Sequence, residues 1–312
     1  MTTDVRSGAS ASSTRVATLA GLTPLLAEVA DAKRVRVAAA PGSLAEQAFE
    51  RAWARLVSGE DAATVALAET AAALARVRLA GIDAGVLGDA WLTEPEVLAV
   101  LQRAFDEVAG PVPTPVRDRL RASLGAAAAG ALTAVPPLAA TLSRQPRAGA
   151  TCPGRPRLIV EPPESHGDHC FTVAVYGVLL AGVFGADPVP PFLVGLAHHL
   201  HNVRLPDAGF AGEVLLGEQL PVVLQRFEER ELEALPPALA ARLRQVLQLR
   251  NDARSPESQT FHAADVLDRV LQVHHHARAA AFTAGQALDE LELVHAGPVQ
   301  AFHESVLQAA GL

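Results

Sequence analysis

Helix-forming residues recur at helical spacing along nearly the whole chain, and this pattern constrains the fold more than any other feature. Ala, Leu, Glu and Arg repeat with a period of about 3.6 residues, whereas β-branched and aromatic residues never alternate over the length of a strand. The stretch "SLAEQAFERAWARLVSG" opens with Ser43 and Glu46 in capping-box spacing and closes at Gly59. The sequence therefore predicts an all-α fold.

The same signals predict helices on both sides of a long stretch that is rich in Pro, Gly and Arg. Thr93 and Glu96 repeat the capping-box spacing, and Pro95 stands in the first turn of that helix. The predicted helices of the first half cover residues 43–59, 60–81, 93–110, 114–129 and 130–143. Those of the second half cover residues 166–185, 190–203, 212–231 with a bend near Pro221, 236–250, 256–283 and 297–310.

The stretch over residues 146–165 cannot hold a regular helix, and we expect a linker there. It separates a helical domain at 16–145 from a second helical domain at 166–312. Residues 1–15 are polar and rich in Ser and Thr, without the apolar region of a secretion signal, so we expect a disordered tail. The first domain carries no catalytic motif, and we expect it to serve packing, self-association or contact with a protein partner.

Charge and composition argue against two classes of partner. The net charge of −8 disfavours general binding to nucleic acid. No run of 18 apolar residues is free of charge, so we expect no membrane partner. The two cysteines, Cys152 and Cys170, are consistent with a cytoplasmic protein. Lys33 is the only lysine of the chain, and we attribute this preference for Arg to a GC-rich genome.

All 11 histidines follow residue 165, and several stand on apolar helices beside other metal-binding side chains. His169 heads one predicted helix, and His198 and His199 lie at the end of the next. On a third helix, Asp265 and Asp268 are spaced by three and lie near one face. A helical domain can bring these side chains together as a His/His/His/Asp set. Such a set suits a first-row divalent metal.

Three motifs, in this order, resemble the HD-domain superfamily, an all-helical family that carries metal on a His, a His-Asp pair and an Asp. "DHCFTVAVYGVLL" resembles the setting of the first ligand, and "AADVLD" resembles that of the last. "LAHHLHN" stands where the family carries its central pair. The resemblance covers about residues 160–285. It implies a phosphohydrolase-like domain whose metal is held by His169, His198, His199 and Asp265.

Two departures from the family pattern shape the expected site. His199 stands where the family carries Asp, and an imidazole can bind metal but supplies no negative charge. The cation would be less neutralised, its bound water more acidic, and its hold on Mg or Mn weaker. No His lies between His201 and His262, where two-metal members of the family place further ligands. We therefore expect one divalent transition metal (Zn, Fe, Mn, Ni or Co) and no di-iron site.

Further polar residues near these motifs are candidates for catalysis or substrate binding. His201 could carry a proton, and His262 could reach the site from one turn before Asp265. A His that bonds to the last carbonyls of its helix explains His201 almost as well. Arg204 and Arg250 are candidate anchors for a phosphate, although Arg ordinarily lies at the surface without such a role.

The remaining histidines fit ordinary structural positions. His166 is expected in a loop, and His295 and His303 at the surface. The run "HHH" at 274–276 cannot face one metal, because consecutive residues on a helix point about 100° apart. We expect that run on a partly solvated helix face.

Three functions are consistent with these features. The first is a single-metal HD-like hydrolase that acts on a phosphate ester, such as a nucleotide. The second is a degenerate, non-catalytic HD-like signalling or scaffolding protein, which the missing Asp favours. The third is a mononuclear iron enzyme, either a lyase or an oxygenase, for which the His-rich set would hold Fe(II).

Overall fold

The computed structural model describes residues 4–128, 134–279, 283–290 and 292–312. Nearly all regular structure within these ranges is helical, and the only sheet among them is a two-stranded antiparallel ribbon. The predicted all-α fold is therefore confirmed. The ribbon pairs β1 (Arg36–Val37) with β2 (Ala40–Ser43). It ends at Ser43, the residue that caps the following helix.

The helices of the first half include those that the capping boxes predicted. They are α1 (Asp4–Val29), α2 (Leu44–Val57), α3 (Ala62–Arg78), α4 (Ala84–Asp89), α5 (Glu94–Val108), α6 (Thr114–Ala122), α7 (Leu124–Ala128) and α8 (Pro137–Leu142). A 3₁₀ turn over Ala30–Lys33 follows α1. α8 is shorter than the predicted helix over 130–143, because Pro136 takes an extended conformation directly before Pro137. Residues 129–133 of that predicted segment lie outside the described residues.

The helices of the second half match most of the predicted segments. They are α9 (His166–Phe184), α10 (Val189–Ala197), α11 (Gly209–Leu216), α12 (Leu220–Glu233), α13 (Pro237–Leu247), α14 (Pro256–Ala279) and α15 (Gln300–Ala310). The predicted helix over 212–231 is divided into α11 and α12, because Gly217 takes a φ of +53° between them. Residues 280–282, at the end of the predicted helix over 256–283, lie outside the described residues.

The N-terminal segment packs on the second half of the chain. α1 already begins at Asp4, although the sequence predicted a disordered tail over residues 1–15. Further along α1, Leu22 and Leu26 are completely buried. The hydroxyl of Tyr176, in α9, donates a hydrogen bond to the carbonyl of Leu26. Burial of these apolar side chains and one buried hydrogen bond therefore fix α1 against α9.

One hydrophobic core spans the two segments that the sequence analysis treated as separate domains, 16–145 and 166–312. α9 lies at its centre and contacts α2, α3, α10 and α14. This helix is long and apolar enough to cross a membrane, but 89% of its apolar stretch is buried inside the protein. Burial of that extent is what a core helix requires. The predicted linker over 146–165 folds back on itself through backbone bridges, with Pro146 opposite Ser165 and Ala150 opposite Leu158.

Small residues let α9 and α10 approach closely. A Cβ atom added to Gly195 would lie 2.6 Å from the Cα atom of Ala174, which is closer than such atoms can come. A larger residue at position 195 would therefore push the helices apart. Because α9 and α10 run in opposite directions, this contact brings His169, in the first turn of α9, next to His198, at the end of α10.

Candidate metal centre

Side chains from three helices meet at one end of the core. His169 lies in the first turn of α9, and His198 follows the last residue of α10. His199 lies in the turn after α10, and Asp265 lies in the middle of α14, which packs against both helices. The structure therefore brings together the four residues predicted as metal ligands.

The potential ligand atoms of this group lie close to one another. The Nε2 atoms of His169 and His198 are 3.1 Å apart. Asp265 Oδ1 lies 3.3 Å from His169 Nε2 and 4.0 Å from His198 Nε2. The potential ligand atoms of His169, His198 and His199 all lie within 4.8 Å of one another. This buried group could hold a metal ion.

Hydrogen bonds set the tautomers of His169 and His198. The Nδ1 atom of His169 lies 2.7 Å from Oδ2 of Asp268, and Nδ1 of His198 lies 2.7 Å from the carbonyl oxygen of Gly195. A carboxylate and a carbonyl only accept, so each Nδ1 carries a proton and donates it. In the neutral ring, the lone pair is then on Nε2, the atom that faces the centre of the group.

His199 is held in the same way by Asn202. The amide nitrogen of Asn202 donates to the carbonyl of Leu205, which leaves its Oδ1 atom facing His199 Nδ1 at 2.8 Å. His199 therefore donates from Nδ1 and keeps its lone pair on Nε2. Burial holds the pKa of His199 well below its usual value, with the cationic neighbours adding to the effect, so this ring is neutral at pH 7.

Two lone pairs that face each other at 3.1 Å repel unless a proton or a metal cation lies between them. A metal bound to two imidazoles at about 2.0–2.1 Å separates their nitrogens by about 2.9 Å in octahedral geometry and about 3.3 Å in tetrahedral geometry. The spacing between His169 and His198 falls in this range. The donor set therefore fits a transition metal on geometry as well as on ligand type.

Asp265 supplies the negative charge of the group. Burial by itself would raise the pKa of this carboxyl, but Arg269 and the neighbouring histidines outweigh it and hold the pKa well below its ordinary value. One Arg269 nitrogen lies 3.6 Å from Asp265 Oδ2. Asp265 is therefore ionised, and three neutral imidazoles with one carboxylate leave a bound divalent cation with a net charge of +1.

A second group of possible ligands lies on the far side of His169, but a lysine side chain already binds its two carboxylates. Glu164, His169 and Asp268 also have ligand atoms within 4.8 Å of one another. The ammonium of Lys33 lies 2.5 Å from both Glu164 Oε1 and Asp268 Oδ1. Because this ammonium already binds both carboxylates, a metal would fit the group of three histidines better.

The N-terminal segment contributes a further buried contact next to His169. Ser43 donates a hydrogen bond from its hydroxyl to Asp168 Oδ1, and the backbone N–H of Ser165 donates to Asp168 Oδ2 at 3.1 Å. Burial, reinforced by the nearby Glu46, raises the pKa of Asp168 to about 7. These bonds fix the first turn of α9, from which His169 extends.

A cavity of about 230 Å³ opens beside the candidate ligands. Two guanidinium groups, from Arg147 and Arg269, line it together with His198, His199 and Asp265. The aromatic rings of Phe210 and His295, which also line it, are stacked with centroids 4.2 Å apart. The cavity therefore combines two guanidinium groups, an aromatic wall and four carboxylates, those of Asp207, Glu213, Asp265 and Glu292.

The other histidines predicted for catalysis lie at different distances from this group. The ring of His201 lies 5.6 Å from that of His199, and its buried Nδ1 atom has no hydrogen-bond partner. Burial and the nearby Arg250 lower the pKa of His201 to about 4. His262 packs instead between Phe261 and His303, at ring distances of 5.1 Å and 5.5 Å. Its catalytic role stays a prediction, as does that of His201.

The two arginines predicted to bind substrate are paired with glutamates. Arg204 lies 2.7 Å from Glu231, and Arg250 lies 2.7 Å from Glu228 while also donating to the carbonyl of His198. Neither is among the described residues that line the cavity. Arg147 and Arg269 do line it, and the sequence analysis did not single them out.

Two of the predicted structural positions are wrong. His166 was expected in a loop, but it is the first residue of α9 and is completely buried. His303 was expected at the surface, but it is only 7% exposed because α15 packs against α14 at that point. The run at 274–276 was expected to be partly solvated: His274 and His275 are half-buried, whereas His276 is buried.

Sequence reasoning missed four functional candidates: Lys33, Asn202, Arg147 and Arg269. Only Lys33 carried a signal, since it is the single lysine among 26 basic residues. No family model, curated protein or solved structure matches the chain.

Proposed function

We propose that this protein is a single-metal hydrolase of the HD-domain type that acts on a phosphate ester, such as a nucleotide. One observation carries the proposal: three imidazoles, each hydrogen-bonded at Nδ1 so that its lone pair is on Nε2, lie with Asp265 in one buried group beside a cavity lined by two arginines. The proposed ligands are His169, His198, His199 and Asp265.

The cofactor in this proposal is one divalent transition metal, chosen from Zn, Fe, Mn, Ni and Co. When bound, it would polarise a phosphoryl oxygen and lower the pKa of a bound water. Three imidazoles and one carboxylate are softer and less charged than the oxygen-rich sets that hold Mg. The ligand set therefore favours Zn, Fe, Ni or Co over Mg.

In this proposal, residues that line the cavity would bind the substrate, and His201, which is not among the described residues that line it, would take up a proton. Arg147 and Arg269 would bind the anionic oxygens of the substrate, because planar guanidinium groups match phosphate geometry. Phe210 and His295 would contact the organic part of the ester through their stacked rings. His201, whose pKa lies near 4, is unprotonated at neutral pH and could accept a proton.

The cellular setting in this proposal is the cytoplasm. Cys152 and Cys170 are both free and buried, which is usual for proteins of reducing compartments. The expected partner is a small phosphate ester, with no nucleic acid and no membrane. The net charge of −8 and the burial of α9 within the protein support both exclusions.

Metal analysis of tag-free protein, followed by assays on a panel of phosphate esters, tests the proposal. We expect about one transition metal per chain and metal-dependent release of phosphate. His198→Gln should lose both metal and activity, whereas His274→Gln, outside the ligand group, should keep both. Absence of metal above background, or full activity in His198→Gln, would refute the proposal.

A second candidate function is a non-catalytic signalling or scaffolding protein with an HD-like fold. An exposed apolar patch in the first half favours it: the Trp91 side chain is 93% exposed, with Ile82 and Val86 also exposed nearby in sequence. Such a patch would bind a protein partner or a second copy of the chain. This alternative predicts that removing metal leaves both stability and partner binding unchanged.

A further inference from the structure

Lys33 is buried between two carboxylates at the centre of the fold. It is 3% exposed, and its ammonium contacts Glu164 Oε1 and Asp268 Oδ1, both at 2.5 Å. Burial alone would lower the pKa of Lys33, but the two carboxylates outweigh it and raise the pKa above its ordinary value. Lys33 is therefore charged, and it joins the N-terminal segment to α14.

Asp268 connects this lysine to the candidate metal ligands. Its Oδ1 atom accepts from Lys33, and its Oδ2 atom accepts from His169 Nδ1 at 2.7 Å. Since each oxygen has a different partner, rotation of the carboxylate about its χ2 bond would break both contacts. Lys33 thus fixes the carboxylate that in turn fixes the imidazole.

We propose that Lys33 is a positioning residue for the metal centre: by holding Asp268, it keeps His169 Nε2 directed at the metal. This inference rests on the metal binding in the proposed function. Partners that orient metal-binding histidines commonly change metal affinity by 10- to 100-fold when they are removed. Lys33 does not touch the proposed ligands, so its effect passes through Asp268.

The choice of lysine at this position fits the role. Every other basic residue in the chain except His is Arg, and arginine prefers to bind one carboxylate with two parallel hydrogen bonds. A compact ammonium can instead bridge two separate carboxylates in a small buried space. An arginine here would need more volume than the close contacts of Lys33 leave.

Arg55 provides a matched control for a purely structural role. It is 4% exposed and, like Lys33, binds two carboxylates, those of Glu60 and Glu69. These residues lie on α2, on α3 and in the turn between them, and none belongs to the candidate metal group. Replacing either cation with Met removes two ion pairs of a buried side chain, so both changes should destabilise the fold. Only the change at Lys33 should alter the metal centre.

The test is a competition titration of the full-length protein with Zn²⁺ or Co²⁺, combined with the visible absorption spectrum of the Co²⁺ form. We expect Lys33→Met to weaken metal binding by about 10- to 100-fold and to change the Co²⁺ spectrum. Arg55→Met should shift the affinity by less than about threefold and leave the spectrum unchanged. Unchanged affinity and spectrum in Lys33→Met would overturn the inference. Absence of metal binding by the unaltered protein would instead overturn the proposed function.

Comparison of a double variant with Asp268→Asn tests whether Lys33 acts through Asp268, and this comparison does not need the single variant Lys33→Met. Asp268→Asn keeps an oxygen for His169 but removes the charge that binds Lys33. The double variant with Lys33→Met should bind metal within about twofold of Asp268→Asn alone. A further loss of tenfold or more in the double variant would show that Lys33 acts by another route and would overturn the inference.

Discussion

His169 and His198 face each other through two Nε2 atoms that are 3.1 Å apart, while both Nδ1 atoms already donate hydrogen bonds elsewhere. The two rings can therefore share a cation, either a metal ion or a proton between the two Nε2 atoms. Burial holds the pKa of His198 well below its usual value, so this ring is neutral at pH 7 and its Nε2 atom keeps a lone pair for a metal.

Metal should stabilise the folded protein measurably. At a free metal concentration 100 times the dissociation constant, binding to the folded state alone adds about 2.7 kcal/mol to the free energy of unfolding. We expect a chelator to lower the melting temperature and added Zn²⁺ or Co²⁺ to restore it, as measured by calorimetry. His198→Gln should show no such response. Equal metal-dependent shifts in both proteins would place the metal elsewhere.

Changing His199 to Asp should restore the harder ligand set of the HD pattern. The added negative charge and oxygen ligand favour Mn²⁺ relative to Zn²⁺. We expect the ratio of the two dissociation constants to shift towards Mn²⁺ by about tenfold or more, as measured by competition titration. His295→Asp is the control, because it adds a carboxylate to the same cavity outside the ligand group. An equal shift in both variants would mean that general charge, and not ligation by residue 199, sets the preference.

Arg269 should contribute more to substrate binding than Arg204. A charge-assisted hydrogen bond is worth about 1.5–3 kcal/mol, so Arg269→Met should raise KM for a phosphate ester by roughly 10- to 100-fold. Arg244→Met, a surface pair partner of Glu229, is the control and should leave KM unchanged. Arg204→Met tests the arginines predicted from the sequence, Arg204 and Arg250, against those that line the cavity, Arg147 and Arg269. A larger KM effect at Arg204 than at Arg269 would favour the arginines that the sequence analysis selected.

His303 should make the fold less stable in acid. Burial lowers the pKa of this imidazole from 6.5 to about 4, so the unfolded chain binds the proton first as pH falls. The contribution to stability is therefore complete above about pH 6.5 and is lost between pH 6.5 and 4. At pH 5 the loss is about 2 kcal/mol.

The variant His303→Leu tests this directly by urea unfolding at pH 7.5 and pH 5. The difference in unfolding free energy between variant and unaltered protein should move in favour of the variant by about 2 kcal/mol at the lower pH. A difference that is the same at both pH values would show that His303 does not titrate in this range.

Helical periodicity was sufficient to predict the fold class and most of the helices. The candidate ligands were predictable for a related reason. His169 lies at the start of one apolar helix, and His198 lies at the end of another. Asp265 is a polar residue within a third helix. The spacing of three between Asp265 and Asp268 also correctly placed both near one face of α14. Patterns within single helices, together with the order of three motifs along the chain, carried this information.

Contacts between distant segments left no such pattern. Lys33 reaches Asp268 across 235 positions, and nothing local to either residue indicates the other. Likewise, the glutamates that pair with Arg204 and Arg250 lie on α12, and only tertiary packing brings them there. His262 shares a helix with Asp265, but its ring packs on Phe261 and α15, a choice that spacing alone does not fix.

The domain boundary was hard to place for the same reason. A Pro- and Gly-rich segment interrupts helices wherever it occurs, whether it links two domains or folds back on one. Here the segment over 146–165 folds back on itself, and α1, α2 and α3 pack on α9. The sequence shows the interruption but does not show that the helices on its two sides bury apolar surface against each other.

The bridge from Lys33 to Asp268 also has a consequence for biosynthesis. Lys33 leaves the ribosome long before α14, which ends at Ala279. A chain interrupted anywhere before α14 lacks Asp265 and Asp268, and it can assemble neither the ligand group nor the support for His169. If the protein binds metal as proposed, the complete ligand group is therefore expected to form only after α14 has been made.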